Sequence, residues 1–150
     1  MNPIGLISMQ YARPFTAEHF PLFLKMREHG YDFVELLVPE LGELDIKATK
    51  SALDDAGMGV VLAARVNLQR NLSSADNDAH RAGIDYLKYT VDCAAGLGAT
   101  VVGGPLTGNP LVFAGRAPQV VEEAERVARK DRCVKGLKEA GDYAQNAGIV

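Results

Sequence analysis

Along the chain, an amphipathic run of helical period repeatedly ends at a glycine, and a short β-branched, apolar run begins within a few residues. The junction occurs four times: Gly30 before Phe33 to Val38, Gly57 before Val60 to Ala63, Gly98 before Thr100 to Val102, and Gly148 before Ile149 and Val150. Glycine after a helix suits a left-handed C-terminal cap, and a continuous apolar run of this length reads as a strand buried on both faces. With Ile4 to Met9 as a first strand, the order is β-α-β-α-β-α-β-α-β, which implies an α/β fold with a parallel sheet and right-handed crossovers.

The helices are legible one by one. The first is predicted over Glu18 to His29, with Pro21 in its first turn and Phe20, Phe23, Leu24 and Arg27 on one side. Asp45 is the expected N-cap of the second, whose inward positions are Ala48, Ala52, Leu53 and Ala56. Ser73 and Ser74 offer hydroxyl caps and Asp76 a first-turn acid to the third, with Gly83, Leu87, Val91 and Ala94 as its apolar stripe up to Gly96. The fourth is the longest. Val120, Ala124, Val127, Val134 and Leu137 recur through it among many Glu, Arg and Lys residues, which mark a solvated outer face.

One connection is long, from Gly103-Gly104-Pro105 to Pro118, and carries Thr107, Gly108, Asn109, Pro110, Phe113 and Arg116. Loops of about 15 residues are uncommon and often functional, and this one follows the C-terminal end of a strand, where parallel α/β folds carry their ligand site. The repeat is interrupted at Val150, the second residue of a fifth strand. Four strands with helices on one side leave a sheet face and two edges to be covered, either by the other half of a closed barrel or by a second copy.

The chain has 150 residues, 47% of them apolar and 23% charged, with a net charge of −3. A chain of this size buries roughly 68–70% of its unfolded surface, so a core forms without disulfides or structural metal. Cys93 and Cys133 stand far apart with no paired Cys or His spacing around them, as in a reduced intracellular chain. Acidic and basic residues are interspersed, which excludes a footprint for nucleic acid or an anionic membrane surface. Met1-Asn2-Pro3-Ile4-Gly5 shows no charged segment running into a long apolar one, and no stretch approaches the roughly 18 apolar residues of a membrane span, so a cytoplasmic location is expected.

Glu35 lies inside the apolar run Phe33 to Val38. A carboxylate there faces a polar cavity or anchors neighbouring backbone or a basic side chain, because desolvating it alone is costly. Arg65 and Asn67 follow the third strand, either lining the same mouth or simply solvated. His19, His29 and His80 have no partner at a ligand interval, so no metal site is expected among them. Ser73 and Ser74 lack a Gly-x-Ser-x-Gly context and read as caps rather than nucleophiles. Gly96-x-Gly98 ends a helix and precedes a strand, the reverse of a phosphate-binding order; Gly103-Gly104 follows a strand but lacks a succeeding Gly-Lys-Ser/Thr. That pair either lets a ligand approach backbone or makes a tight turn.

Three segments in register, Gly30-Tyr31-Asp32-Phe33-Val34-Glu35, Asn71-Leu72-Ser73-Ser74-Ala75-Asp76 and Val101-Val102-Gly103-Gly104-Pro105-Leu106, resemble the D-tagatose/D-psicose (allulose) 3-epimerase family of xylose-isomerase-like TIM barrels. Ile7-Ser8-Met9-Gln10 departs from the aromatic or histidine residues that many members carry on strand one. The resemblance implies the N-terminal half of a (β/α)8 barrel that epimerises free ketoses at carbon 3 through an enediolate, with two glutamates and a manganese, cobalt or magnesium ion. In the family the ligands Glu, Asp, His and Glu come from strands five to eight, so no catalytic or metal residue is expected within this chain, and no cation is expected to bind it alone. What carries over is a substrate-side wall: Glu35 at the end of strand two, and Gly103, Gly104, Pro105 and Leu106 after strand four, with the Asn71 to Asp76 segment opening helix three near the same rim; Arg65 and Asn67 join it from their place after strand three, not from the resemblance. The expected function is that of half a ketose 3-epimerase, catalytically poor alone, with a ketose as small-molecule partner. A half of another enzyme such as a hydroxypyruvate isomerase, a ligand-binding half-barrel without turnover, and a half-barrel that pairs with a second copy into a homo-oligomer are the alternatives.

Overall fold

Backbone hydrogen bonding places the strands side by side in their order along the chain. In the computed structural model, which describes residues 2–107 and 120–150, β1 (Gly5–Ile7), β2 (Phe33–Leu37), β3 (Gly59–Ala63) and β4 (Val102–Gly103) form one sheet of order β1-β2-β3-β4. Every pairing is parallel, with Gly5 beside Phe33, Phe33 beside Gly59, and Ala63 beside Gly103. The helices α1 (Pro21–Glu28), α2 (Ile46–Asp55), α3 (Asn77–Leu97) and α4 (Glu123–Asn146) follow the strands in turn. Where the repeat expects a fifth strand, Val150 pairs alongside β4: its N–H donates to Thr100 O at 2.9 Å and Val102 N–H donates to Val150 O at 2.7 Å.

All four junction glycines take the left-handed backbone, with φ of +90° at Gly30, +61° at Gly57, +76° at Gly98 and +70° at Gly148. A residue with Cβ is disfavoured there, so the glycines both end the helices and turn the chain toward the next strand.

One face of the sheet is covered. Val34, Leu36, Val38 and Leu62 are buried against Phe23 and Met26 of α1, Leu53 of α2 and Leu87 and Val91 of α3. The other face carries Ile7, Phe33, Glu35, Leu37 and Val61, all half-buried. The expectation of strands buried on both faces is therefore corrected: in β2, buried residues alternate with half-buried ones, because among the described residues no second layer covers the inner face. Phe33 fills the lower end of that face by lying over Gly5, where a Cβ would sit 2.1 Å from its ring.

Several boundaries and faces differ from those read in sequence. The first strand stops at Ile7 because Tyr11 N–H (3.0 Å) and Ala12 N–H (3.3 Å) both donate to Ser8 O and curl Ser8–Gln10 into a 3-10 turn. The first helix is preceded by a separate 3-10 turn, Ala17–His19, capped by Thr16, and the α-helix proper starts at Pro21. On α1, Met26 rather than Leu24 turns inward, and Arg27 is exposed and bonds Asp32 at 2.9 Å. Asp45 caps α2 as expected, accepting from Ala48 N–H at 2.9 Å. The cap of α3 is Asp76, accepting from Asp78 N–H at 2.8 Å; Ser74 acts one step earlier, accepting from Asp76 N–H at 3.1 Å, and Ser73 bonds Asn71.

On α4 the inward face is Cys133, Gly136, Leu137, Ala140 and Ala144, whereas Val127, Val134 and Ala124 are exposed and Val120 precedes the helix. Small residues win because α4 lies close on α3 and its preceding loop: a Cβ at Gly136 would meet Leu72 at 3.0 Å and Ile84 at 3.3 Å. Cys93 and Cys133 are both buried as free thiols, and burial pushes each up from its ordinary pKa.

Glu139 ties the two long helices, accepting from Lys88 Nζ at 2.7 Å and Arg81 Nη1 at 2.9 Å. These bonds, Lys88 first, hold its carboxyl below the ordinary glutamate value. The folded state therefore holds the anion more firmly than the unfolded chain does. The stability this adds is complete above the unfolded value of about 4.3 and is lost as pH falls through the lowered folded value. In Glu139→Gln that part of the acid sensitivity disappears, and urea midpoints of variant and parent, separated at neutral pH, converge in acid.

Candidate functional site

The C-terminal ends of the strands all open on one rim, and there the loops after β1, β2 and β3 enclose a cleft of about 290 Å³. Its walls include Met9, Phe15 and Leu37 on the apolar side and Arg13, Glu40, Glu43, Arg65 and Arg70 on the polar side. That volume is at the lower end of small-ligand sites, roughly 300–1,000 Å³.

Arg70 is the most firmly held group of the cleft. Its side chain is only 9% exposed, its guanidinium lies 3.8 Å from the centroid of the Tyr86 ring, and its Nε donates to Arg65 O at 3.2 Å. Its Nη1 donates to Glu40 Oε2. Burial pulls the Arg70 guanidinium down from its ordinary pKa, partly offset by Tyr86, yet arginine starts so high that it stays charged. Tyr86 is buried, and its hydroxyl donates to Val38 O at 2.6 Å. Burial also pushes that phenol up, keeping it a neutral donor. Arg70 and Tyr86 thus join the end of β2 to the loop after β3.

Arg65 is the one residue of the predicted wall that lines the cleft. Asn67 lies beside it, but its Oδ1 accepts from Gln69 N–H and Arg70 N–H, both at 2.9 Å, so the side chain builds the turn that presents Arg70. Glu35 stands in the middle of β2 rather than at its end, on the inner face between Ile7 and Val61. Leu36 alone stands between it and Leu37, the last residue of the strand, and among the described residues its carboxylate accepts no hydrogen bond.

Gly103 pairs with Ala63 on the same inner face, and among the described residues nothing stands within 4 Å of where a Cβ would be. Gly104, at φ +126°, crosses so near the Ala64 carbonyl that a Cβ would lie 2.1 Å from its oxygen. Leu106 folds back, donating its N–H to Gly104 O at 2.9 Å, and Pro105 is exposed. The two glycines therefore differ in geometry, a close backbone crossing at Gly104 and, among the described residues, clear space beside Gly103. The rest of the long connection, with Gly108, Asn109, Pro110, Phe113, Arg116 and Pro118, lies outside the described residues.

The reading of the sequence passed over Glu40, Arg70 and Tyr86. Tyr86 falls beside the stripe of Gly83 and Leu87 on α3, and Arg70 directly precedes the Asn71 to Asp76 motif; that adjacency was the available signal.

Residues 23–150 match the family described as xylose isomerase-like TIM barrels. The chain belongs to that family. Among curated relatives, it is 34% identical to a ketose 3-epimerase of Arthrobacter globiformis over 98 residues, covering 65% of this chain and 34% of that protein. It is 28% identical to an L-ribulose 3-epimerase of Mesorhizobium japonicum over 123 residues, covering 82% of this chain and 39% of the relative.

Among solved structures, a D-psicose 3-epimerase crystallised with D-fructose superposes with a TM-score of 0.80 at 22% identity, over 99% of this chain and 50% of that one. A D-allulose 3-epimerase from Methylomonas sp. in complex with D-allulose gives 0.83 at 18% identity, over 98% and 49%. These structures share the fold, and the chain spans about half their length. Its four βα units match about half of those barrels, and the rim with Arg65 and Arg70 is the end at which TIM barrels carry their active sites.

Among the described residues, no group of three or more His, Cys, Asp or Glu side chains is placed to hold an ion. His80 is committed to Leu72 O at 2.8 Å and His19 to the Thr16 cap. Among the described residues, no helix is long and apolar enough to cross a membrane.

Proposed function

We propose that this chain is the substrate-side half of a ketose 3-epimerase-type sugar epimerase or isomerase barrel acting on a free ketose, with the metal ligands and the residues that move the carbon-3 proton contributed by βα units five to eight. The observation that carries the reading is the pair of curated relatives, both named as 3-epimerases of ketoses, matched over a chain whose charged cleft lies at the strand ends. In this role Arg65 and the open backbone at Gly103 face the sugar from above the sheet. Glu35 lies one inward-facing position deeper, an acid in the wall beneath the bound ketose. The half-buried inner face, with Ile7, Leu37 and Val61, becomes barrel interior when the other four units close over it.

The experiment is isotope exchange. The purified 150-residue chain, incubated with a ketohexose and manganese in deuterated water, is expected to give no label at carbon 3 above the protein-free blank, by NMR of the recovered sugar. Rapid uptake by this chain alone would place the chemistry within these residues and overturn the assignment of proton transfer to the other half.

A further inference from the structure

We propose that Glu40 and Arg70 form a polyol-recognition pair in the rim cleft, Glu40 accepting hydrogen bonds from the hydroxyl groups of a bound ketose and Arg70 positioning it. The proposal rests on the sugar-epimerase reading above, and deepens it by naming residues of this chain that hold the substrate.

The pair is asymmetric in a way a purely stabilising ion pair is not. The Arg70 side chain is 9% exposed and that of Glu40 59% exposed. Arg70 is fixed from three sides, by the Tyr86 ring at 3.8 Å, by Arg65 O at 3.2 Å and by Glu40 itself. An exposed pair would contribute little to stability and would leave both side chains mobile. Here the fold has immobilised the cation, and the cation immobilises a carboxylate that still faces solvent.

Only Oε2 of Glu40 is engaged by Arg70; among the described residues Oε1 accepts no hydrogen bond, and both residues line the cleft. An ionised carboxylate is an acceptor only, and a ketose presents a row of hydroxyl donors along one edge. The cleft also offers what the carbon skeleton of a sugar needs, an apolar wall of Phe15, Leu37 and Met9 facing the charged one. A planar guanidinium is the group suited to fix the orientation of such a carboxylate, because its fork leaves little rotational freedom, unlike a lysine ammonium.

The test titrates the full 150-residue chain with D-fructose, followed by NMR shifts of cleft amides, in parallel with urea unfolding. Glu40→Gln keeps the shape of the side chain and an oxygen for Arg70 but loses the charged acceptor. It is expected to weaken fructose binding about tenfold, the scale of one hydrogen bond to a charged group, with an unchanged urea midpoint. Arg70→Met is expected to weaken binding and lower the midpoint together. Arg70→Lys, which restores charge without the fork, recovers only part of the affinity.

Parent-like affinity in Glu40→Gln overturns the pair as the recognition element while leaving the sugar reading in place. Affinity fully restored by Arg70→Lys overturns the positioning role. Absence of binding of D-fructose, D-allulose and L-ribulose to the parent chain overturns the proposal and the sugar reading together.

Discussion

Gly104→Ala is expected to lose about 2–4 kcal/mol of stability, while Gly103→Ala, one residue away, stays within about 0.5 kcal/mol of the parent. The contrast follows from geometry. At Gly104 a Cβ would lie 2.1 Å from Ala64 O and 3.1 Å from Ala64 N, and φ is +126°. The obstacle is backbone, so no side-chain rotation relieves it. The chain must instead swing β4 away from β3, which breaks the 2.8 Å bond from Ala64 N–H to Gly103 O.

Backbone strain of this kind costs about 1–3 kcal/mol and a lost buried hydrogen bond about 0.5–1.5 more. At Gly103, among the described residues, nothing lies within 4 Å of the added atom, and no positive φ is involved. Urea unfolding reads the difference, and hydrogen exchange localises it: the Ala64 amide loses protection in Gly104→Ala and keeps it in Gly103→Ala. Equal losses in the two variants would mean that the close crossing at Ala64 does not hold the rim together.

The same stretch shows where pattern in the sequence is sufficient and where it is not. Helix, glycine and apolar run recur because each solves a local problem, and Gly30, Gly57, Gly98 and Gly148 are the residues with positive φ at those junctions. Parallel order follows from the alternation, since a strand that returns parallel needs a crossover. Which side of a helix faces inward is a weaker inference. On the short α1, Leu24 and Met26 lie on nearly opposite sides of the helix, each within reach of the Phe23 side, and the packing of Phe23 in the core selects Met26. On α4 a search for large apolar residues selects Val127 and Val134, whereas the close approach to α3 selects Gly136 and Ala140.

The candidate site was legible to the same extent. Glu35 stands out because a charge interrupts an apolar strand, and Arg65 because it leaves one. Arg70 does not stand out, because its burial is created by a ring 16 positions further along, at Tyr86, and by a carboxylate 30 positions back, at Glu40. No local period encodes either contact. The sequence does not set the depth of Glu35, because a strand's end cannot be told from its middle along Phe33 to Val38; pairing with Ile7 and Val61 sets it.

Tyr86→Ala should be the most damaging of the single substitutions considered, costing about 3–5 kcal/mol, the range for removing a large buried aromatic. Tyr86 is 1% exposed and belongs to the central cluster with Val38, Leu87 and Leu62. Its removal opens a cavity under the rim, leaves Val38 O without the hydroxyl that donates to it at 2.6 Å, and withdraws the surface on which the Arg70 guanidinium rests. Tyr86→Phe separates these effects. It retains the ring and the stacking of Arg70 and deletes only the hydrogen bond, for an expected loss of about 1–2 kcal/mol.

Fructose affinity should therefore be near the parent value in Tyr86→Phe and weakened in Tyr86→Ala, measured at a urea-free temperature where both remain folded. Because Tyr86 and Arg70 touch, their effects are not independent: Arg70→Met is expected to cost less in the Tyr86→Ala background than in the parent, by at least about 0.5 kcal/mol. A cycle with no such coupling would show that the stacked geometry contributes nothing to the hold on Arg70. The rim would then depend on the Glu40 and Arg65 contacts alone.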